Sequence, residues 1–164
     1  MYKVGQLVVY GVHGVCRILE LEEKRVDRKT IPYLVLEPMD QPGTKYYVPS
    51  QNEAALAKLR PLINAEKLRA LLQDKTAEAW IPEDNRRKLR YKEILTGVHI
   101  SDVLPMLRAV YAYRRDQAEL GRKLHQCDEM FLHDAEKMLT GEIALVLQIP
   151  KEDAIAHLRT QLIA

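Results

Sequence analysis

The fold is indicated most clearly by one stretch near the start of the chain, Val4-Gly5-Gln6-Leu7-Val8-Val9-Tyr10-Gly11-Val12-His13-Gly14-Val15-Cys16-Arg17-Ile18. Two runs of β-branched and aromatic residues flank a Gly-x-x-Gly turn, in which Gly11 and Gly14 can take the positive φ that a tight connection needs. No helical pattern precedes this stretch. It predicts that the chain begins with a small β module.

Two further runs of β-type residues follow, at positions 32–36 and 45–49. Two prolines, an aspartate and a glycine lie between positions 38 and 43 and are typical of a turn. Four short runs joined by tight turns predict a strongly bent antiparallel sheet or a partly open barrel. We expect this β half to end near Pro49.

Beyond Pro49 the spacing of apolar residues changes to three and four, which indicates helices. A short helix is expected within residues 52–59, and Arg60-Pro61 is interpreted as a boundary. Asn64 is a candidate N-cap for a helix over residues 65–73. Further helices are predicted to begin near Pro82, Ser101, Leu124 and Pro150. The second half is therefore expected to be a bundle of about five helices.

The composition is that of a compact globular protein. The chain has 164 residues, of which 47% are hydrophobic and 29% are charged, and these fractions argue against disorder. There is no N-terminal basic region followed by an apolar segment, and no run of about 18 apolar residues. Neither export nor membrane insertion is predicted, and we expect a cytoplasmic protein without a membrane partner.

The residues that usually carry catalysis or bind metals form no recognisable set. Cys16 and Cys127 lie far apart and outside any CxxC pattern, so we interpret them as free thiols. His125 and His133 are eight positions apart, more than the single turn that places two ligands side by side. GxSxG, GxGxxG and P-loop sequences are also missing. We therefore predict no enzyme activity, no metal and no cofactor.

The net charge of +2 conceals an uneven distribution. Residues 86–123 carry ten cationic and four anionic side chains, a balance of +6, whereas residues 124–164 carry three and seven, a balance of −4. A localised positive field attracts a polyanion to one face of a protein. Solvated helix faces have the same composition, so the charge distribution alone leaves both interpretations open.

The main candidate for a binding surface is Trp80 with the cationic run that follows it. On a helix, Arg86 and Arg90 share one stripe and Lys88 and Lys92 another. Such a face can span a phosphate backbone, and the indole can wedge against bases in the minor groove. A tryptophan in the core or at a domain interface is the alternative. The candidate DNA-binding residues are Trp80, Arg86, Arg87, Lys88, Arg90 and Lys92.

The N-terminal part resembles the CarD family of bacterial transcription regulators through three segments in a fixed order, KVGQLVVYGVHGVCRI, PYLVLE and KYYVPS. The family shares this domain with the transcription-repair coupling factor, and the resemblance continues through the helical remainder. It implies a Tudor-like, SH3-like barrel that docks on the β subunit of RNA polymerase. It also implies that Trp80, with Thr96-Gly97 downstream, inserts at the upstream edge of the promoter bubble, and that Lys88 contacts DNA.

The same resemblance implies a polymerase-facing surface on the N-terminal domain. Its residues are Lys24, Arg25, Val26, Lys45 and Tyr47. Docking is expected to pair an edge strand of the barrel with the β subunit, because exposed backbone groups then supply affinity and side chains supply selectivity.

The complete prediction is an α+β protein of two domains. Residues 1–62 form a Tudor-like RNA polymerase-interaction domain, and residues 63–164 form a helical DNA-binding domain. The expected function is that of a monomeric, non-enzymatic bacterial regulator. It binds the polymerase β subunit and promoter DNA, with little sequence specificity, and modulates the stability of the open complex. A protein-only adaptor and a small enzyme with an unrecognised site remain alternatives.

Overall fold

The computed structural model describes residues 2–163. Its first part contains a sheet and one short helix, α1 (Glu53–Leu56). The five strands are β1 (Leu7–Tyr10), β2 (Val15–Val26), β3 (Lys29–Pro38), β4 (Tyr46–Pro49) and β5 (Leu59–Pro61). The remaining helices are α2 (Ala65–Gln73), α3 (Asp84–Gly97), α4 (Ile100–Glu119), α5 (Gln126–Leu147) and α6 (Lys151–Ile163). This layout is compatible with the predicted two-domain α+β arrangement and its five-helix second half.

The sheet is antiparallel and has the strand order β4-β3-β2-β1-β5. In the part of the chain that the structure describes, the two outer strands do not pair with each other, so the sheet is open. The antiparallel sheet is as predicted, but the Tudor-like barrel that the resemblance implies is not confirmed. Strands β2 and β3 form a long hairpin, whose turn residues Asp27 and Arg28 have φ of 51° and 67°. Positive φ at both central residues is what a two-residue hairpin of native twist requires.

The sequence prediction placed the end of the β half too early. Strand β5 lies beyond Pro49 and pairs with β1, so that Val9 faces Arg60. The segment Arg60-Pro61, interpreted as a boundary, is thus part of the sheet. A strand of three residues is too short to show an alternating pattern, and Pro61 is tolerated because β5 is an edge strand.

The sheet buries apolar side chains on both faces. Val8 packs with Cys16, Ile18 and other strand residues in a small core of the N-terminal part. Val9 and Val15, which are cross-strand partners, belong instead to the large core formed by the helices. Successive side chains of a strand point to opposite faces, so the sheet packs directly against the helical bundle.

The helices begin close to where the sequence predicts them. The side chains of Asn52 and Asn64 cap α1 and α2 by accepting hydrogen bonds from Ala55 N and Lys67 N. Helix α3 ends at Gly97 and is capped by Val98, whose φ of 55° is a left-handed conformation that glycine usually takes at a helix end. Among residues 2–163, none of these helices is both long and apolar enough to cross a membrane.

Candidate nucleic-acid and polymerase interfaces

Helix α3 divides its residues between a buried face and an outward one. Tyr91, Ile94 and Leu95 are buried against the bundle, and Tyr91 contacts Phe131 of α5 edge to face, with ring centroids 5.8 Å apart. The 3.6-residue period then places Arg86, Lys88 and Lys92 in solvent. The sequence prediction of an outward cationic face on this helix holds for these three side chains.

Arg87 lies on the buried face, which corrects its placement with the exposed cations. Its side chain is 2% exposed and forms two hydrogen bonds of 2.8 Å with Asp128 on α5. It also donates to Asp84 and to the carbonyl of Ile81. Burial lowers the pKa of Arg87, but the hydrogen bonds to the two carboxylates outweigh this effect and raise it overall. The guanidinium therefore fixes α3 to α5 and does not reach the surface.

The other two arginines of the cationic run are also paired with carboxylates. Arg90 donates to Glu78 at 2.6 Å and to Glu93 at 3.0 Å, and these contacts raise its pKa, the hydrogen bond to Glu78 contributing most. Arg86 lies 3.5 Å from Glu83 in an exposed pair. Exposed pairs of this kind are weak and exchange readily with water. Arg86 is thus available to an external anion, whereas Arg90 is largely neutralised.

Lys88 and Lys92, like Arg86, are cations of α3 that are available to an external partner. Both are exposed, and neither forms a salt bridge with any residue from 2 to 163. They are one turn apart on the helix, a spacing that suits successive anionic groups.

Trp80 lies between two partners in the segment that precedes α3. Its ring stacks on Tyr113 of α4 at a centroid distance of 3.8 Å and an angle of 12°. The Arg87 guanidinium lies 4.5 Å from its centroid, a cation–π distance. The side chain is half-buried against the helical core. Both partners are therefore in contact with the ring that the sequence interpretation assigns to base wedging, and that role stays a prediction.

The predicted polymerase-facing residues lie on the β2–β3 hairpin and the neighbouring strand. The Lys24 ammonium lies 3.6 Å from the centroid of the Tyr47 ring, so these two are brought together. Arg25, Val26 and Lys45 are exposed. The sequence prediction missed Leu21, which is 61% exposed on the same hairpin. The only sequence signal for the exposure of Leu21 is its position in a strand whose side chains alternate between two faces.

Strand β4 carries Tyr47 and lies at the edge of the sheet. It pairs with β3 on one side, and no other strand in residues 2–163 pairs with its outer side. An edge strand offers free backbone donors and acceptors to an extended segment of another protein. The hairpin and this edge together form a surface suited to protein contact.

A groove of about 640 Å³ lies between the N-terminal part and the helices α3 and α5. Its walls include Lys58 and Leu89, which the sequence did not single out, and Met130 and Phe131. The helical spacing of Met130 and Phe131 predicts core residues, but Met130 is 61% exposed and Phe131 is only partly buried. Leu89 lies among cations and Met130 follows an acidic pair in the sequence. The sequence alone does not distinguish an exposed apolar residue from a core residue. Only the folded arrangement brings these side chains together.

The N-terminal sheet packs on the helical bundle and leaves its hairpin and the edge strand β4 exposed. This arrangement is typical of a protein-interaction module. Residues 2–63 match the CarD-like/TRCF RID domain family. The N-terminal part of the chain thus belongs to a CarD-like family of RNA polymerase-interacting domains, which confirms the resemblance seen in its sequence. The domain is one of protein interaction, with a role related to transcription.

Proposed function

We propose that this protein regulates transcription initiation by binding the β subunit of RNA polymerase and promoter DNA at the same time. The N-terminal domain, residues 1–62, docks on the polymerase, and the helical domain, residues 63–164, contacts DNA near the upstream edge of the bubble. The observation that carries the proposal is the family match over residues 2–63.

The polymerase side is supported by the hairpin and the edge strand. Tyr47 is 38% exposed and Leu21 61%, and apolar and aromatic side chains are what a protein interface buries at its centre. The unpaired outer side of β4 supplies backbone hydrogen-bonding groups beside them. A β-strand of the polymerase subunit fits this combination.

The DNA side is supported by the exposed cations of α3. Arg86, Lys88 and Lys92 reach solvent from one helix, and phosphate contacts of this kind orient a protein on a duplex without reading its sequence. A protein that binds the melted promoter more tightly than the closed one shifts the equilibrium by the difference in affinity. No catalytic step is needed for this effect.

The polymerase contact is tested with the purified full-length protein and the isolated β subunit. Tyr47→Ala combined with Lys24→Ala should weaken the complex at least tenfold, because the two side chains form one exposed cluster. Leu120→Ala, which removes an apolar group that is 65% exposed at the end of α4, is the matched control. Equal affinities for the three proteins would contradict the proposed surface.

The DNA contact is tested by the salt dependence of duplex binding. Each lost phosphate contact removes about 0.9 from the slope of log K against log salt, so Lys88→Ala with Lys92→Ala should reduce the slope by about 1.8. Arg115→Ala, which removes an exposed cation of α4, serves as control. A slope that stays unchanged in the double variant would return these lysines to the role of a solvated helix face.

A protein-only adaptor remains the second candidate because much of the positive charge is neutralised internally. Arg87 and Arg90 are engaged by carboxylates, and Arg108 donates to the carbonyls of α2 and the segment after it. Polymerase binding with no measurable affinity for duplex or bubble DNA would favour the adaptor.

A further inference from the structure

We propose that the groove between α3, α5 and the N-terminal part binds an acidic amphipathic helix of a partner protein. This inference goes beyond the proposed function and concerns a second protein contact. It rests on three properties of the groove: its apolar walls, the charge at its rim and its concave shape.

The walls bring exposed apolar side chains of two helices together. Leu89 of α3 is 71% exposed and Met130 of α5 is 61% exposed, and both line the groove. Phe131, Leu95 and Val12 extend the apolar surface below them. A contiguous apolar patch with a polar rim marks an interaction site. Methionine and leucine side chains also adapt to the apolar face of a bound helix.

The rim is positively charged. Lys58, Lys88 and Lys92 line the groove, and Asp134 is the only carboxylate that does so among the described residues, which gives three cations against one anion. None of the three lysines forms a salt bridge within residues 2–163. A partner with carboxylates beside its apolar face would therefore find complementary charge on α3 and on the N-terminal part, where Lys58 lies.

The shape favours a helix over a nucleic acid. A duplex is read by protein elements that protrude into its grooves, whereas here the protein surface is concave and its floor is apolar. A sugar-phosphate backbone has no apolar side chain to bury there. Helix α3 has 14 residues and is about 21 Å long, so an adjacent helix of similar length could place residues i, i+3, i+4 and i+7 along the groove.

The cationic residues are shared with the proposed DNA surface, since Lys88 and Lys92 belong to both. Occupation of the groove would place carboxylates beside these lysines. A bound acidic helix should therefore weaken duplex binding by the same protein, and duplex DNA should weaken binding of the helix.

The test uses three fluorescently labelled probes with the full-length protein. The first is a 14-residue helical peptide of leucine and glutamate, with leucine at alternating spacings of three and four. The second replaces each glutamate by lysine, and the third is a duplex DNA. Fluorescence anisotropy should show binding of the leucine–glutamate peptide and at least tenfold weaker binding of its lysine counterpart.

The variants locate the peptide on the protein. Leu89→Ala with Met130→Ala should weaken peptide binding at least tenfold and leave duplex binding unchanged, because no cation is removed. Both side chains are exposed, so the fold should persist, and the circular dichroism spectrum checks this. Leu120→Ala is the matched control and should bind the peptide normally. Lys88→Glu with Lys92→Glu should reverse the preference between the two peptides.

Three outcomes would overturn the proposal. The first is no binding of the leucine–glutamate peptide, and the second is equal binding of both peptides. The third is a loss of duplex affinity in the Leu89→Ala/Met130→Ala variant as large as the loss of peptide affinity. That last result would assign the groove to DNA.

Discussion

Arg60 of β5 holds Glu142 of α5 through two parallel hydrogen bonds of 2.7 and 2.6 Å, from its two terminal nitrogens to the two carboxylate oxygens. Its Nε also donates to the carbonyl of Val98 at the end of α3, at 2.7 Å. Glu142 is fully buried and accepts a further hydrogen bond from the backbone of Ile63. One arginine thus connects the sheet to two helices.

Removing Arg60 should destabilise the whole protein, because a buried carboxylate would lose its partner. Breaking a buried pair in this way costs about 3–5 kcal/mol, and we expect Arg60→Ala to lower the free energy of unfolding by that amount in urea denaturation. Arg115→Ala breaks only an exposed contact to Asp116 and should cost about 0–1 kcal/mol. Arg60→Met with Glu142→Leu should recover most of the loss, and equal losses in the single and double variants would contradict this account.

Arg87 should behave as a structural residue and not as a DNA ligand. Arg87→Ala leaves Asp128 buried without a cation, so we expect a loss of about 3–5 kcal/mol in stability. Arg87→Lys should not restore it, because lysine cannot form the two parallel hydrogen bonds. Arg86→Ala is the neighbouring control and should melt normally. A variant Arg87→Ala with wild-type stability would show that the carboxylate finds another partner.

Trp80 and Tyr113 should be energetically coupled. A stacked aromatic pair contributes about 0.5–1.5 kcal/mol beyond its buried area, and a double-mutant cycle with Trp80→Ala and Tyr113→Ala should recover a coupling of this size in thermal unfolding. If the indole also inserts at the bubble edge, Trp80→Ala should shorten the lifetime of the open complex, while Tyr113→Ala should not. Equal shortening by both changes would favour a purely structural role for Trp80.

The network around Glu136 predicts how stability depends on pH. Glu136 accepts hydrogen bonds from Tyr111 of α4 and Arg159 of α6. Burial raises the pKa of Glu136. The hydrogen bonds from Arg159 and Tyr111 lower it by a larger amount, so the folded-state pKa lies below the ordinary value of 4.5. Stability from this group is therefore complete above that value and is lost as the pH falls through the folded-state pKa.

We therefore expect Glu136→Gln to be less stable than the wild type at pH 7, by about 1.5–3 kcal/mol for its charge-assisted hydrogen bonds. The difference should shrink as the pH is lowered from 5 to 3. Denaturation curves at several pH values measure it, and Glu20→Gln on the exposed side of β2 serves as control. A difference that is constant across this range would contradict the assigned pKa direction.

Gln148 offers a stabilising change. It caps α5 with φ of 57°, a conformation that costs a residue with a side chain about 1–2 kcal/mol and glycine almost nothing. Glycine has more conformational entropy in the unfolded chain, which offsets part of this gain. Gln148→Gly should therefore raise the free energy of unfolding by only about 0.5–1 kcal/mol. Lys137→Gly in the middle of α5 should do the reverse, with a loss of about 1 kcal/mol. The opposite signs check the assignment of the helix end.

The sequence predicted the elements well because their signals are local. Asn64 is followed by an amphipathic run, and its side chain caps α2 as expected. Strand β5 was missed because its three residues are held by pairing with β1, a contact that periodicity does not encode. The Tudor-like barrel was inferred by resemblance, and the strand order, which leaves the sheet open, does not confirm it.

The candidate site was less predictable, because one helical turn decides which cation is buried. Arg86 and Arg87 are adjacent in sequence, yet only Arg87 meets a buried carboxylate, and that carboxylate belongs to Asp128 on α5. The partners of Trp80 are likewise set by the packing of α3 and α4. Such pairs depend on the tertiary arrangement, so no local pattern identifies them.

The shared core of sheet and helices has a mechanical consequence. Val9 and Val15 lie in the same packed cluster as the helices, and Arg60 joins β5 to α5 and to the end of α3, so we expect the β4 edge and helix α3 to keep a fixed separation. A partner bound at the β4 edge would therefore fix the distance at which α3 can contact a second partner. We expect an insertion in the segment between α2 and α3 to leave this distance unchanged. Loss of the contacts between the sheet and the helices would let the distance vary.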